Sequence, residues 1–249
     1  KSVYKITKQP LIYSFLESRI FNFKIRNEII PEKIDKTDKF LKKAGNKKKS
    51  TTLILNINKT VPLDFDQKCN RFIKENGFKF LMFLNYLKKI KFSVQNNQYS
   101  FKKIVKEAGK IKIKSKKNNK EKEFNFFIHR QKINFLKKNK KAFIVFAFHI
   151  GAEGHFFGTK IKTKLNIFLE THEDTGLNFY IHAPFIPNNT RTEINLDEEN
   201  NKKILDICVD GFSSLIEKLR RSKLLNISFI ESLPYCDRQN DYNKFEKLH

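Results

Sequence analysis

The sequence predicts an α/β fold of the mixed, α+β kind: helices packed on largely antiparallel sheets, two layers deep, in two subdomains. Three observations predict it. Apolar and polar residues alternate through many short runs, the period of a strand with one buried face. Ile204, Cys208, Phe212, Leu215 and Leu219 step by three and four instead, the stripe of a helix buried along one side. Pro62 separates a strand-rich beginning from a helix start and places the domains at about residues 1–60 and 61–249.

Taken in order, Val3–Thr7 and Leu11–Phe15 read as strands around the turn Lys8-Gln9-Pro10. Ile20–Arg26 alternates with Ile20, Phe23 and Ile25 inward, and Ile29-Ile30-Pro31 is expected to end that strand. Residues 35–50 are rich in Lys and Asp and read as a loop. Thr51–Asn58 is β-branched and apolar, the composition of a buried strand. Asp64 or Asp66 caps a helix that runs through Gly77, and a second helix is expected over Phe78–Lys89 from the stripe Phe80, Leu81, Leu84, Leu87. Ile90–Val94, Tyr99–Val105 and Ile111–Ile113 form a meander. Lys114–Lys122 (KSKKNNKEK) has no apolar residue, and its charges predict an exposed loop. Phe124–Ile128 and Ala142–Ile150 (AFIVFAFHI) are strands, the second apolar almost throughout and therefore central, covered on both faces. GAEGHFFG, residues 151–158, lacks the Gly-Lys-Ser/Thr ending of a phosphate loop and the spacing of a dinucleotide fingerprint, and is assigned to a loop.

The stretch Leu165–Glu193 organises the rest. A strand over Leu165–Leu169 should turn at His172-Glu173-Asp174-Thr175-Gly176, whose short polar side chains and glycine suit a reversal. A second strand, Leu177–Ala183, places Leu177, Phe179, Ile181 and Ala183 on one face, and Pro184 and Pro187 stop the ladder. The loop that follows carries Arg191 just ahead of a closing helix over about residues 197–223, with Asp197 as its N-cap. Leu224–Leu233 adds a shorter apolar element, ended by Pro234.

The chain has 249 residues, 26 Phe and no Trp, enough apolar material for a real core, and a net charge of +25. Lysine, asparagine, isoleucine and phenylalanine are all abundant, as an AT-rich genome dictates; lysine would then decorate every solvated face. The other reading of the same charge is a basic surface for nucleic acid. No apolar run approaches the ~20 residues that span a bilayer, which with three widely spaced cysteines predicts an intracellular, cytoplasmic or nuclear protein with no membrane partner. Cys69, Cys208 and Cys236 have no CxxC spacing, and the six histidines no HExxH pattern, so no metal site is predicted. No GxSxG or Cys-His constellation is present. His172 beside Glu173 and Asp174 admits acid–base chemistry, but turn formation accounts for the same residues.

Several segments carry a family resemblance. LETHEDTGLNFYIHAPFIPNNTRTEI, residues 169–194, is similar to the middle domain of sacsin-like members of the GHKL ATPase superfamily, which includes gyrase, MutL, histidine kinases and the ninety-kilodalton heat-shock chaperone. Lys1-Ser2-Val3-Tyr4-Lys5-Ile6-Thr7 and Pro10-Leu11-Ile12-Tyr13-Ser14 resemble the segment after the superfamily's glycine-rich ATP lid, and Ser50-Thr51-Thr52-Leu53-Ile54-Leu55 its G-T-x-I-x-L strand, with Ser50 where the glycine is usual. FKFLMFLNYLKKI, from Phe78, resembles the segment entering the middle domain.

The resemblance implies a fragment of a chaperone-like ATP-binding protein: the end of its nucleotide domain, then a middle or transducer domain. It implies ATP and Mg²⁺ as cofactors and a homodimer by family habit. The general-base glutamate, the Mg²⁺-binding asparagine and the lid glycines would lie ahead of Lys1, in the other half of the nucleotide domain, so this chain alone should not hydrolyse ATP. Ile186–Ile194 matches a hydrophobic-x-x-x-Thr-Arg-x-x-hydrophobic pattern whose arginine reaches the γ-phosphate, which gives Arg191 its implied role; a planar guanidinium suits the charge that builds there. Pairing with Glu193 or Glu198 is the other reading of Arg191. Thr51 would contact adenine, or serve only as a strand residue. Lys1 and Ser2 would offer backbone amides to phosphate, or form an ordinary chain end. The alternative to an ATPase is a basic nucleic-acid or ribonucleoprotein-binding module that uses the Lys102–Lys122 region and exposed phenylalanines.

Overall fold

The computed structural model describes residues 11–16, 19–26, 30–33, 51–54, 64–106, 109–133, 142–151, 153–159, 162–189 and 192–233. The chain divides into two units, Lys1–Gln67 and Lys68–His249.

The described part of the first unit is an antiparallel sheet of β1 (Leu11–Leu16), β2 (Arg19–Arg26), β3 (Ile30–Lys33) and β4 (Thr51–Ile54), in the order β3-β2-β1-β4. Ile30-Pro31, expected to end β2, instead opens β3, with Pro31 opposite Ile25. Among the described residues β3 is an edge strand of this sheet, the position where a proline is tolerated. The Thr51 strand is described only over its first four residues and, among the described residues, forms the other edge of this sheet. The expected strand at Val3–Thr7 and the loop 35–50 lie outside the described residues.

Helix α1 (Phe65–Asn76) begins in the last residues of the first unit, and the second unit holds the rest of it, the single turn α2 (Lys79–Met82) and a meander of β5 (Lys89–Val94), β6 (Asn97–Val105), β7 (Lys110–Lys117), β8 (Lys120–Ile133) and β9 (Ala142–Ile150). It continues with β10 (Phe156–Phe157), β11 (Lys164–Ile167), β12 (Leu169–Asp174), β13 (Tyr180–His182), α3 (Glu199–Arg221) and α4 (Ile227–Glu231). The nine strands form one mixed, mostly antiparallel sheet in the order β12-β11-β13-β9-β8-β7-β6-β5; β10 also pairs with β9, and only β11 with β13 is parallel. The expected α+β architecture is therefore present. Among the described residues no helix is long and apolar enough to cross a membrane.

Strand β9 is central, as its apolar run predicts. Ile144, Phe146, Phe148 and Ile150 point to one face, where α3 and α4 pack with Phe179, Ile181, Leu215 and Phe229. Val145 and Ala147 point to the other, where Phe78, Leu81 and Met82 meet Phe101, Ile113 and Phe126. The helix-on-sheet layering thus occurs twice, once on each face. The predicted stripe of α3 is the buried one: Ile204, Cys208, Leu215 and Leu219 are essentially inaccessible, and Phe212 packs beside them.

Four local expectations are corrected. The helix over Phe78–Lys89 stops at Met82. Phe78, Leu81, Met82 and Phe83 fill the core and Tyr86 is fully exposed, so the chain turns out after Phe83 and enters β5, where pairing with β6 outweighs the helix propensity of Leu84–Lys89. Lys114–Lys122 is not a loop but the meeting of β7 and β8, joined by Asn118 and Asn119 alone. Asn118 supplies a φ of +49°, a left-handed conformation asparagine tolerates. Glu123 and Glu121 lie opposite Lys114 and Lys116, and cross-strand neighbours rather than sequence neighbours decide the electrostatics of a sheet. His172–Asp174 belongs to β12; the reversal falls earlier, at Phe168 (φ +64°), whose N–H donates to His182 Nδ1 at 3.1 Å. The loop 151–158 also contains β10: Gly154 (φ +88°) turns the chain back so that Phe157 lies opposite His149. A smaller shift concerns α3, whose N-cap is Glu198; Asp197 instead donates its N–H to Asn195 Oδ1.

Gly77 closes α1 where the Phe101 ring crosses beneath it. A Cβ there would lie 2.3 Å from Phe101 Cζ and 2.6 Å from the Ile73 carbonyl oxygen. Gly77→Ala should therefore destabilise the protein by about 1–3 kcal/mol despite alanine's better helix propensity, seen as a lower urea midpoint with an unchanged m-value.

Candidate functional site

The face of the sheet under α1 and α2 carries a cleft whose wall is aromatic. Alternation along β9 brings His149 to the same face as Val145 and Ala147, and the pairing of β10 with β9 sets Phe157 directly beside it. The two rings stack, centroids 5.2 Å apart and 18° from parallel. Phe126 lies 4.4 Å from His149 and Tyr180 5.7 Å from it. His149, Phe157 and Tyr180, together with Phe78, Lys79, Lys122, Lys162, Lys164 and Glu170, border a cavity of about 650 Å³, within the range of small-ligand sites, and Phe126 lies buried behind His149.

The charges at the rim are unevenly paired. Lys79 Nζ is 2.6 Å from Glu170 Oε2 and 6.0 Å above the Tyr180 ring. Lys164 is 3.2 Å from Asp174 and donates to the His172 carbonyl oxygen at 3.0 Å. Lys122 and Lys162 have no carboxylate partner among the described residues; Lys122 lies 4.9 Å over the Phe124 ring. Neither the His149 imidazole nor the Tyr180 hydroxyl makes a hydrogen bond among the described residues. Burial, with Lys122 adding to it, lowers the His149 pKa to about 4. Burial, reinforced by the Glu170 carboxylate, raises that of Tyr180. At neutral pH the cleft thus presents a neutral imidazole and a neutral phenol between ammonium groups. So weak a base has little use in proton abstraction at pH 7; stacking and charge are what the geometry offers. Among the described residues no group of His, Cys, Asp and Glu is arranged to hold a metal ion.

A second built feature is the stem of the loop that follows β13. Pro187 bridges Ile194, and Asn188 N–H donates to the Glu193 carbonyl oxygen at 2.9 Å. Asn201, wholly buried, accepts from Ile186 N–H at 2.8 Å and donates to the carbonyl oxygens of Ile186 and Asn195 at 3.0 and 2.8 Å. Glu173, also buried, accepts from Ile194 N–H at 3.0 Å, and His172 N–H donates to the Thr192 carbonyl oxygen at 2.7 Å. Glu173 is therefore a brace, which accounts for it without acid–base chemistry.

The third feature is the opposite face of β5–β8, where no residue of β5, β6 or β7 joins the core under α3. Register aligns lysines in rows across the strands. Lys89 lies opposite Lys102, Lys102 opposite Lys114, and Lys114 opposite Glu123. Lys91, Ser100, Lys116 and Glu121 form the next row. Glu123 binds Lys112 at 2.5 Å and Lys114 at 3.2 Å, which lowers its pKa through those hydrogen bonds. Lys89, Lys91 and Lys102 are exposed and have no carboxylate partner among the described residues.

Of the residues singled out in the sequence, Arg191, Lys1 and Ser2 lie outside the described residues. Thr51 begins β4, opposite Ser14, in the first unit. Phe157, Tyr180 and Lys79 were not picked out by sequence reasoning. The available signal was His149, the one ionisable residue in an apolar strand, aligned by alternation with Val145 and Ala147. Comparison of the chain with protein-family models, with curated proteins and with solved structures finds no match.

Burial holds His149 and His182 at pKa values of about 4, His182 lying between the Phe83 and Phe168 rings. In the unfolded chain both titrate near the ordinary value of about 6.5. Above that pH both states are neutral and the shift has no effect. Below it the unfolded state takes up protons first, so stability should fall from pH about 6.5 to about 4 and level off beneath. Urea midpoints across this range check it; His182→Gln should flatten part of the slope.

Proposed function

We propose that the chain is part of a chaperone-like ATPase of the GHKL type, in which ATP binding and hydrolysis are coupled to domain closure through Arg191. The observation that supports this reading is the braced stem. Two buried polar side chains, Asn201 and Glu173, are committed to holding the backbone on either side of positions 190 and 191. Burying polar groups is costly unless each is satisfied. Committing them to the flanks of a surface loop suits a loop with a functional role. In this reading Thr51 contacts the adenine of ATP, the amides of Lys1 and Ser2 face phosphate, and Mg²⁺ enters with the nucleotide.

The test joins this chain to the nucleotide-binding segment that the resemblance places ahead of Lys1 and measures ATP turnover. Arg191→Ala should lower kcat by about a hundredfold with little change in KM, the pattern of a contact made in the transition state, and Arg191→Lys should recover only part. Turnover unchanged in Arg191→Ala, or absent from the joined protein, overturns the reading.

The lysine rows support a second reading, in which the open face of β5–β8 binds nucleic acid. Like charges directly opposite one another destabilise a sheet, and the row Lys89–Lys102–Lys114 stacks three of them; an anionic strand laid across the face would relieve the repulsion. Affinity for single-stranded DNA should then fall linearly on a log–log salt plot. The combined variant K89Q/K102Q/K114Q should reduce the slope by about 2, three lost contacts at about 0.7 each. An affinity indifferent to salt excludes this reading.

A further inference from the structure

We propose that the cleft between β10, β13 and α2 binds a nucleobase bearing a phosphate, the base stacked on Phe157 and the phosphate held by Lys122 and Lys162. The inference is independent of Arg191 and of the lysine rows, which lie on the other face of the sheet.

Each part of the cleft suits one part of such a ligand. Phe157 is 48% exposed although its neighbour Phe156 is buried. Its inner face is occupied by His149, nearly parallel to it. The arrangement is a stacking platform with one side free, and its rigidity comes from the pairing of β10 with β9. Bases stack on such platforms whatever their identity, because every base has a π-face. The His149 nitrogens and the Tyr180 hydroxyl, without hydrogen-bond partners among the described residues, offer donor and acceptor capacity to a base edge. Lys122 and Lys162 border the same cavity without carboxylate partners among the described residues, whereas Lys79 and Lys164 are already paired. Two unneutralised ammonium groups call for an anion. An inorganic anion alone would leave the aromatic wall unused, and an uncharged aromatic ring would leave the ammonium groups unused. A nucleotide uses both. It can arrive free or as one residue of a strand.

Calorimetric titration of this chain at low salt with AMP, adenosine, ribose 5-phosphate and a short oligo(dA) strand tests the assignment. AMP should bind at least about tenfold more tightly than adenosine or ribose 5-phosphate. Phe157→Ala and the double variant K122Q/K162Q should each weaken AMP by about tenfold. These side chains are exposed at the rim, and circular dichroism verifies that the variants are folded. K89Q/K102Q/K114Q should leave AMP affinity unchanged, which separates this site from the lysine rows. Oligo(dA) binding to K89Q/K102Q/K114Q much more tightly than AMP, and weakened by Phe157→Ala, identifies a strand as the source of the base, and equal or weaker binding identifies the free nucleotide; the site assignment holds in both cases. It is overturned if AMP binds no better than ribose 5-phosphate, if neither AMP nor oligo(dA) binds, or if Phe157→Ala and K122Q/K162Q bind AMP as the parent does.

Discussion

The second unit depends on the burial of β9 on both faces. A nine-residue strand with so many phenylalanine and branched side chains can be hidden only at the centre of a sheet with cover above and below. That requirement places α3 and α4 on one side and α1 and α2 on the other. The separate core clusters meet only through this strand and its neighbours. It also explains the close approach of α3: Gly211 lies over the Phe146 ring and the Gln131 side chain, where a Cβ would sit 3.4 and 3.0 Å from them. The fit has a cost. His129 and Gln131 are carried inward on the same face of β8, and the His129 nitrogens and Gln131 Oε1 have no hydrogen-bond partner among the described residues. Burial and the charge of Lys218 keep His129 readily deprotonated, so the imidazole sits there neutral.

The same central strand builds the cleft. Because alternation is strict, the face that buries Val145 and Ala147 must also carry His149, and the hairpin through Gly154 must bring Phe157 to it. The cleft is thus the end of the hydrophobic core where the apolar run gives way to polar groups. The braced loop has the same origin: Glu173 and Asn201 reach it from β12 and α3, elements whose positions the core has already fixed.

Long-period features were legible in the sequence and local reversals were not. The central strand, the stripe of α3 and the face of Leu177, Phe179, Ile181 and Ala183 all follow from burial, which leaves a repeating mark on the chain. The reversal at Phe168 left none, because a non-glycine residue holds positive φ there only through contacts with His182, distant in sequence. Lys114–Lys122 misled for a related reason: its charges balance across strands, and the partners Glu121 and Glu123 appear only once register is known. The cleft was not read from the sequence. The sequence marks His149 as the one ionisable residue of an apolar strand, but Tyr180 and Lys79 join it only through sheet order and the short α2. Arg191, Lys1, Ser2 and Thr51 were read from resemblance, and packing periodicity has no bearing on them.

Strand β5 ends the sheet order, so one of its sides offers N–H and C=O groups to no neighbouring strand of that sheet. Such an edge invites another chain to add a strand, and exposed lysines are a common guard against it. Lys89 and Lys91 stand exposed on β5, without a carboxylate partner among the described residues. The same lysines would therefore also set an electrostatic barrier between copies of the protein. Neutralising them, whether by ligand or by substitution, would lower the electrostatic barrier to edge-to-edge assembly, linking occupancy of this face to self-association.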